Sequence, residues 1–399
     1  MTTVWAGIDS GKRAHHCVVI DAGGGVLLSR RVVNDETALL ELIAAVLRVA
    51  GGAEVVWATD LNTGGAALLI ALLADHGQQP LYIPGRVVHH AAATYRGGGK
   101  TDAKDARIIA DQARMRTDLQ PVRGGDQIST DLRLLTARRT DLVFDRVRAI
   151  NRLRATMLEY FPALEAAFDY SKQAPLILVA GYQTPDAIRR MGAARLACWL
   201  KKRRARNAAA VAAKAVDAAH AQHTVLATQA TGARLVARLA EQIMAIDADL
   251  AQLGEEIEQR FEQHRDAPIL LSMPGFGFVL AATFLANTGD LAAFENVDRL
   301  ASVAGLAPAP RDSGRISGNH HRPQRFNRRL MRACYLAALS SLKASPASRA
   351  FYERKRAEGK SHKQALIALA RRRLTTIWAM LRDRTTYQEP IPPRTASAT

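Results

Sequence analysis

The sequence predicts an α/β fold at its amino end, a mixed sheet with helices on its faces, followed by long helices and a mainly α carboxy-terminal region. Three observations carry that reading. Between Val4 and Pro84, short β-branched runs alternate with glycine-rich turns and with stretches of helical spacing. Across Leu132–Tyr160 and again across Val236–Ile257, apolar residues recur at intervals of three and four. Near Leu270 the composition changes to Pro/Gly turns and clustered arginine.

The first strand, Val4-Trp5-Ala6-Gly7-Ile8, ends in Asp9. A second runs from His16 to Ile20 and a third from Val26 to Val33, joined by the glycine-rich turn Asp21 to Gly25. Together they predict an antiparallel meander. Asn34 is the expected N-cap of a helix whose Leu39, Leu40, Leu42, Ile43, Val46 and Leu47 share a face, and Gly51-Gly52 stops it. Glu54 to Asp60 reads as a fourth strand, Gly64 to Ala74 as a second helix and Pro80 to Pro84 as a short fifth strand. Three strands, helix, strand, helix, strand is the order of a ribonuclease H-like fold.

At 399 residues the chain has room for two or three domains with real cores, and 48% apolar content fits a soluble globular protein. No apolar run approaches a membrane span, and the amino terminus lacks the order of a signal peptide, which predicts a cytoplasmic protein. Cys17, Cys198 and Cys334 have neither disulfide-scaffold nor zinc-ribbon spacing and read as packing residues. A net charge of +18 makes nucleic acid the leading partner, because binding releases counterions from phosphate. A membrane surface is disfavoured, since the arginines are spread over several segments.

Acids mark the ends of these elements. Asp9 closes the first strand and Asp60 the fourth, while Asp102 and Asp105, three residues apart, share one face at the head of the helix after the fifth. In a ribonuclease H-like sheet these places lie side by side. Four carboxylates could then hold two Mg²⁺ ions astride a scissile phosphate. An isolated Asp-x-x-Asp at a helix start also complements the helix dipole, and the upstream acids tip the balance toward metal. Gly97-Gly98-Gly99-Lys100-Thr101 imitates a phosphate-binding loop, but Thr94 stands where its first glycine should be, so the glycines read as a flexible entry to the metal-binding helix and nucleotide hydrolysis is disfavoured.

The helix Leu132–Tyr160 carries Arg138, Arg139, Arg146, Arg148, Arg152 and Arg154, and Pro162 should end it. Such a face can be merely solvated; the overall charge favours contact with a nucleic-acid backbone. Lys201-Lys202-Arg203-Arg204 and Arg206 form a second basic cluster. Val236, Leu239, Ile243, Ile246, Leu250, Leu253 and Ile257 then form a heptad stripe, which packs on its own chain or joins subunits as a coiled coil. A dimer or larger even assembly is expected.

Leu271-Ser272-Met273-Pro274-Gly275-Phe276-Gly277 before a small-residue helix, Val279 to Ala286, resembles a helix-hairpin-helix turn, in which the Gly275 and Gly277 backbone would meet phosphate. The ordinary alternative is an interhelical turn. From Arg311 to Arg382 there are 18 lysines and arginines against 3 acids. Within it Arg311, Arg315, Arg325, Arg328 and Arg329 surround Ser313-Gly314. That serine reads either as a polar loop residue or as a nucleophile whose phosphate target arginine holds.

The acids Asp9, Asp60, Asp102 and Asp105, the Pro274-Gly275-Phe276-Gly277 turn, Gly305-Leu306-Ala307-Pro308, Ser313-Gly314 and Arg328-Arg329-Leu330 occur in the order found in the DEDD-type insertion-sequence transposases, the insertion-sequence-110 group. The chain resembles that family over nearly its whole length. The resemblance implies a RuvC-like domain over residues 1–130, a helical coiled-coil region over 131–265, a carboxy-terminal transposase domain over 266–384 and a disordered tail over 385–399. It implies Mg²⁺ on the four aspartates, Ser313 as nucleophile, donor and target DNA as substrates, a bridge RNA as guide, and a tetramer with composite sites. The chain departs from the pattern at Asp60, where the family usually has glutamate, and at Gln324-Arg325-Phe326, which replaces Lys/Arg-Gly; Ser317-Gly318 duplicates the serine signature.

Other readings keep part of this set. A RuvC-like resolvase or nuclease would use the aspartates and water, and Tyr335 or Tyr352 could stand in for the serine. A non-enzymatic nucleic-acid-binding protein would need neither.

Overall fold

The computed structural model describes residues 3–95, 99–122, 127–289, 291, 294–310, 312–315, 317–321 and 323–389. The chain forms two compact units, Met1–Asp126 and Gln127–Thr399.

In the first unit, β1 (Thr3–Ser10), β2 (Ala14–Ile20), β3 (Val26–Val33), α1 (Glu36–Ala50), β4 (Glu54–Thr59), α2 (Ala67–Asp75) and β5 (Leu81–Tyr82) follow in the predicted order. They continue into α3 (Gly85–Ala92), α4 (Asp102–Met115) and β6 (Gln120–Pro121). The sheet order is β3-β2-β1-β4-β5-β6, with β1, β2 and β3 antiparallel, β4 parallel to β1, and β5 parallel to β4. Alternation along β1 sorts its faces. Val4, Ala6 and Ile8 join Leu39, Leu42 and Ile43 of α1 in one core, while Trp5 packs beside Ala106 and Ala110 of α4 on the other face.

Asp35, not Asn34, caps α1: its carboxylate accepts from the Ala38 amide at 2.8 Å. Asn34 instead donates to the Gly65 carbonyl at 2.9 Å, a contact from outside its own segment.

The second unit begins with α5 (Gln127–Leu158), then α6 (Pro162–Ala167), α7 (Gln173–Gly181), α8 (Pro185–Lys202), α9 (Ala208–His220) and α10 (Gln229–Glu262). Pro162 opens α6 at a position where its missing N–H costs nothing. The α5 and α10 helices pair antiparallel. Asp131 bonds Arg260 at 2.8 Å, Arg146 bonds Asp247, and a Cβ on Gly232 would stand 2.6 Å from the Tyr160 ring. This pairing consumes the heptad stripe. Val236, Ile243, Ile246, Leu253 and Ile257 are buried, in cores shared with Leu132, Leu142 and Leu153 of α5. Within the chain the stripe is therefore the seam between α5 and α10, with Leu239 and Leu250 only partly buried along it.

Beyond it lie α11 (Ala267–Ser272), α12 (Phe278–Thr288), α13 (Val297–Val303), a two-residue hairpin of β7 (Ala309–Pro310) and β8 (His320–His321), α14 (Arg328–Ala344), α15 (Pro346–Ala357) and α16 (His362–Asp383). Arg373 of α16, 4% exposed, donates to the Pro274 carbonyl and to the Ser348 hydroxyl at 3.2 Å, tying α16 to the Pro274-Gly275 turn and to α15.

Residues 385–389 of the expected disordered tail are held against the rest of the second unit. The Tyr387 amide donates to the Ser272 hydroxyl at 2.8 Å, and Glu389 accepts from the Ser345 hydroxyl at 2.8 Å and from the Ala347 amide at 3.0 Å. Residues 390–399 lie outside the described set. Cys17 and Cys334 are packing residues as expected, but Cys198 is exposed on α8. Among the described residues no helix is long and apolar enough to cross a membrane.

Candidate active site

Gly7 sets the geometry of the acidic site. A Cβ there would overlap the carbonyl of Ala106 and the amide of Ala110, so only glycine lets α4 rest directly on β1. Asp9 lies two residues along on the same face as Gly7, and Asp105 precedes Ala106 on α4. The packing of α4 thus delivers its first turn to the end of β1. Thr101 caps that turn, accepting from the Lys104 amide at 3.2 Å. On the other side the Ser10 amide donates to Asp60 Oδ1 at 3.0 Å, holding the end of β4 against the end of β1.

Asp9, Asp60 and Asp105 line one cavity of about 760 Å³. Burial and repulsion from Asp60, Asp105 and Asp102, in that order, push the Asp9 carboxyl up to about 6, with Lys100 pulling the other way. Burial also raises Asp60, against which the Ser10 amide works. The four predicted acids are therefore electrostatic neighbours. They do not converge: among the described residues no three His, Cys, Asp or Glu side chains stand close enough to hold one ion together. The carboxylates repel one another, and every donor of the set is a hard oxygen that suits a divalent cation of the Mg²⁺ type.

The same cavity has a wall that the sequence reading missed. His89 of α3, His90, Tyr95, Lys100 and Lys104 line it. The only signal in the sequence was the His89-His90 pair just beyond the fifth strand. Tyr95 donates to Asp111, which also pairs with Arg114 at 2.7 Å.

In the second unit, Ser313 and Gly314 lie exposed between β7 and β8, and the Asp312 side chain accepts from the Asn319 amide at 2.9 Å to close that loop. Ser317 is exposed in the same loop, as is Arg315; Arg311 lies outside the described residues. Arg325, Arg328 and Arg329 are exposed beside it, the last two in the first turn of α14, whose N-cap Asn327 accepts from Arg329 and Leu330. The Gly305 backbone at φ +67 carries Phe326 against it, 2.5 Å from where a Cβ would stand.

The two turn glycines differ. Gly275, at φ +85, is pressed onto α14 at Ala337 and Ser341, whereas Gly277 is exposed with open space beside it. Glu255 and Glu258 line the cavity next to both, so a phosphate arriving there would meet two carboxylates. Arg138 is exposed, while Arg139 is half-buried, its charge disfavoured by desolvation and its Nε without a hydrogen-bond partner. Lys201 and Arg203 are exposed at the end of α8, and Arg203 stacks 3.9 Å over the Trp199 ring.

A family model described as a transposase matches residues 6–162, and a second, described as a transposase of the IS116/IS110/IS902 family, matches residues 267–353. The chain is 62% identical to the 42 kDa protein of insertion element IS900 from Mycobacterium paratuberculosis, over 96% of this chain and 97% of that one. It is 48% identical to the 44.8 kDa protein of insertion element IS116 from Streptomyces clavuligerus, over 99% and 98%. The transposase for insertion sequence element IS1111A of Coxiella burnetii is 23% identical over 96% and 90%.

Proposed function

Because the chain belongs to the IS116/IS110/IS902 family of transposases, we propose that it cuts and rejoins donor and target DNA through a Ser313 phosphoserine link, with Asp9, Asp60, Asp102 and Asp105 holding Mg²⁺ and a bridge RNA as guide. It is an insertion-sequence transposase, an enzyme of phosphoryl transfer on DNA. The carboxylate-lined cavity is the observation that carries the active-site assignment. The sheet order and the three antiparallel leading strands support a ribonuclease H-like, RuvC-like amino-terminal domain.

Bound by these aspartates, Mg²⁺ would neutralise charge on the attacking and departing oxygens. The serine hydroxyl oxygen attacks phosphorus, its proton passing to solvent, and the bond to one deoxyribose oxygen breaks as the serine–phosphate bond forms. Reversal by an oxygen of another strand rejoins DNA without external energy. Exposed Arg315, Arg325, Arg328 and Arg329, with Arg138, Lys201 and Arg203 on other elements, supply charge for the nucleic-acid backbone.

The bridge RNA, the tetramer and a division at residues 130, 265 and 384 rest on the family likeness. Within the chain the α10 stripe packs on α5. The test incubates full-length protein with Mg²⁺, labelled DNA carrying its element's ends and RNA transcribed from those ends. Joined product that requires the RNA supports the reading. Cut ends without joining leave a hydrolytic nuclease, and binding without cutting leaves an architectural protein.

A further inference from the structure

The aspartates of the cavity account for metal and phosphorus, but they leave one chemical need unmet. When a phosphodiester bond breaks, the departing deoxyribose oxygen carries negative charge that a bound Mg²⁺ would ease and that a proton donor would remove. An ionised carboxylate has no proton to give.

The facing wall has candidates. Tyr95 is committed to Asp111, and burial with that bond pushes its phenol up to about 12. Lys100 and Lys104 also line the cavity, and their ammonium groups suit contact with phosphate oxygens. Imidazole is the side chain whose ordinary titration spans neutrality. His89 and His90 are both exposed and both line the cavity, their rings edge to face at 5.7 Å. Apart from each other, neither has a hydrogen-bond or ion-pair partner among the described residues. Two imidazoles therefore line the same cavity as Asp9, Asp60 and Asp105, where a substrate held by the aspartates would also come against them.

We propose that the His89–His90 pair on α3 is the general acid of strand cleavage, giving a proton to the departing deoxyribose oxygen and taking it back when that oxygen, or its replacement, attacks phosphorus on rejoining. The assignment rests on the cavity being the site of phosphoryl transfer. It holds for either a serine or a water nucleophile. In cleavage the phosphorus–oxygen bond breaks, its electron pair stays on the departing oxygen, that oxygen takes the imidazolium proton, and the imidazole is left neutral.

The test uses full-length protein with Mg²⁺, RNA transcribed from the element's ends, and DNA of its own element in which sulfur replaces the bridging oxygen at the cleavage position, prepared separately for the two bridging positions. A thiolate departs without a proton. The double variant His89→Ala/His90→Ala should cleave oxygen DNA about 10²-fold or more slowly than wild type, yet cleave the sulfur substrate within about tenfold of it. His89→Gln/His90→Gln, which keeps polar bulk on an exposed helix face, should give the same pattern with unchanged thermal unfolding. Asp105→Ala, which removes an acid of the cavity, should fail on both substrates. Wild-type rates on oxygen DNA for the double variants, or equal defects on both substrates, would overturn the general-acid assignment. A wild-type protein that cleaves neither substrate, or an Asp105→Ala variant that cleaves both, would overturn the reading of the cavity itself.

Discussion

The backbone amide of Ser10 donates to the Asp60 carboxylate at 3.0 Å, joining the end of β1 to the residue that follows β4. An asparagine oxygen can accept the same bond. Asp60→Asn should therefore leave stability within about 1 kcal/mol of wild type. It should lower Mg²⁺ affinity at least about tenfold, because one charged ligand is gone. Denaturant melts and calorimetric titration read the two quantities; unchanged affinity would remove Asp60 from the metal set.

Gly7 is the contact on which the acidic site depends. Gly7→Ala puts a methyl into the Ala106 carbonyl and the Ala110 amide, and both are backbone that cannot swing aside. The expected cost is about 3 kcal/mol or more. Urea unfolding measures it, and a loss below about 1 kcal/mol would mean that α4 can lift from β1 without penalty.

The Asp9 carboxyl gives a pH dependence. Its folded value, about 6, lies above the ordinary 3.8, so between those values the folded chain keeps a proton that the unfolded chain has lost. Its contribution to stability is therefore favourable at low pH and is lost as pH rises through about 6. Cation binding requires the ionised form, so Mg²⁺ affinity should fall as pH drops from 7.5 to 5. Titrations across that range check the sign; affinity that is flat with pH would argue against Asp9 as a ligand.

Arg373 separates hydrogen bonding from charge. Arg373→Ala removes the bonds to Pro274 and Ser348 and leaves a hole, an expected loss of about 3 kcal/mol. Its Nε lacks a partner and burial holds its charge down, to about 10, so Arg373→Met should cost less than half as much. Equal losses in the two variants would make the bonds dominant and the packing irrelevant.

The order of elements in the first unit was legible because each carries its own period: alternation in β1 and a clean apolar face in α1. So were the acids at strand and helix ends, since turn and cap signals fix those ends locally. What was hidden depends on partners far away in the chain. The two-residue pairing of β6 with β5 leaves no period to read. The heptad stripe of α10 looks the same in sequence whether its partner is another chain or α5. His89 and His90 became visible as a wall only once β4 and α4 had brought Asp60 and Asp105 into the same cavity.

The serine link is tested most directly by trapping it. Full-length protein reacted with Mg²⁺, its element's DNA and RNA transcribed from the element's ends, then denatured and digested, should yield a DNA-linked peptide whose modified residue, read by mass spectrometry, is Ser313. Ser313→Ala should abolish it, Ser317→Ala should keep it, and Asp102→Ala should lose both adduct and cleavage. Cleavage that persists in Ser313→Ala with no linked peptide, or a link found at Ser317, Tyr335 or Tyr352, would contradict the assignment of Ser313 as the nucleophile.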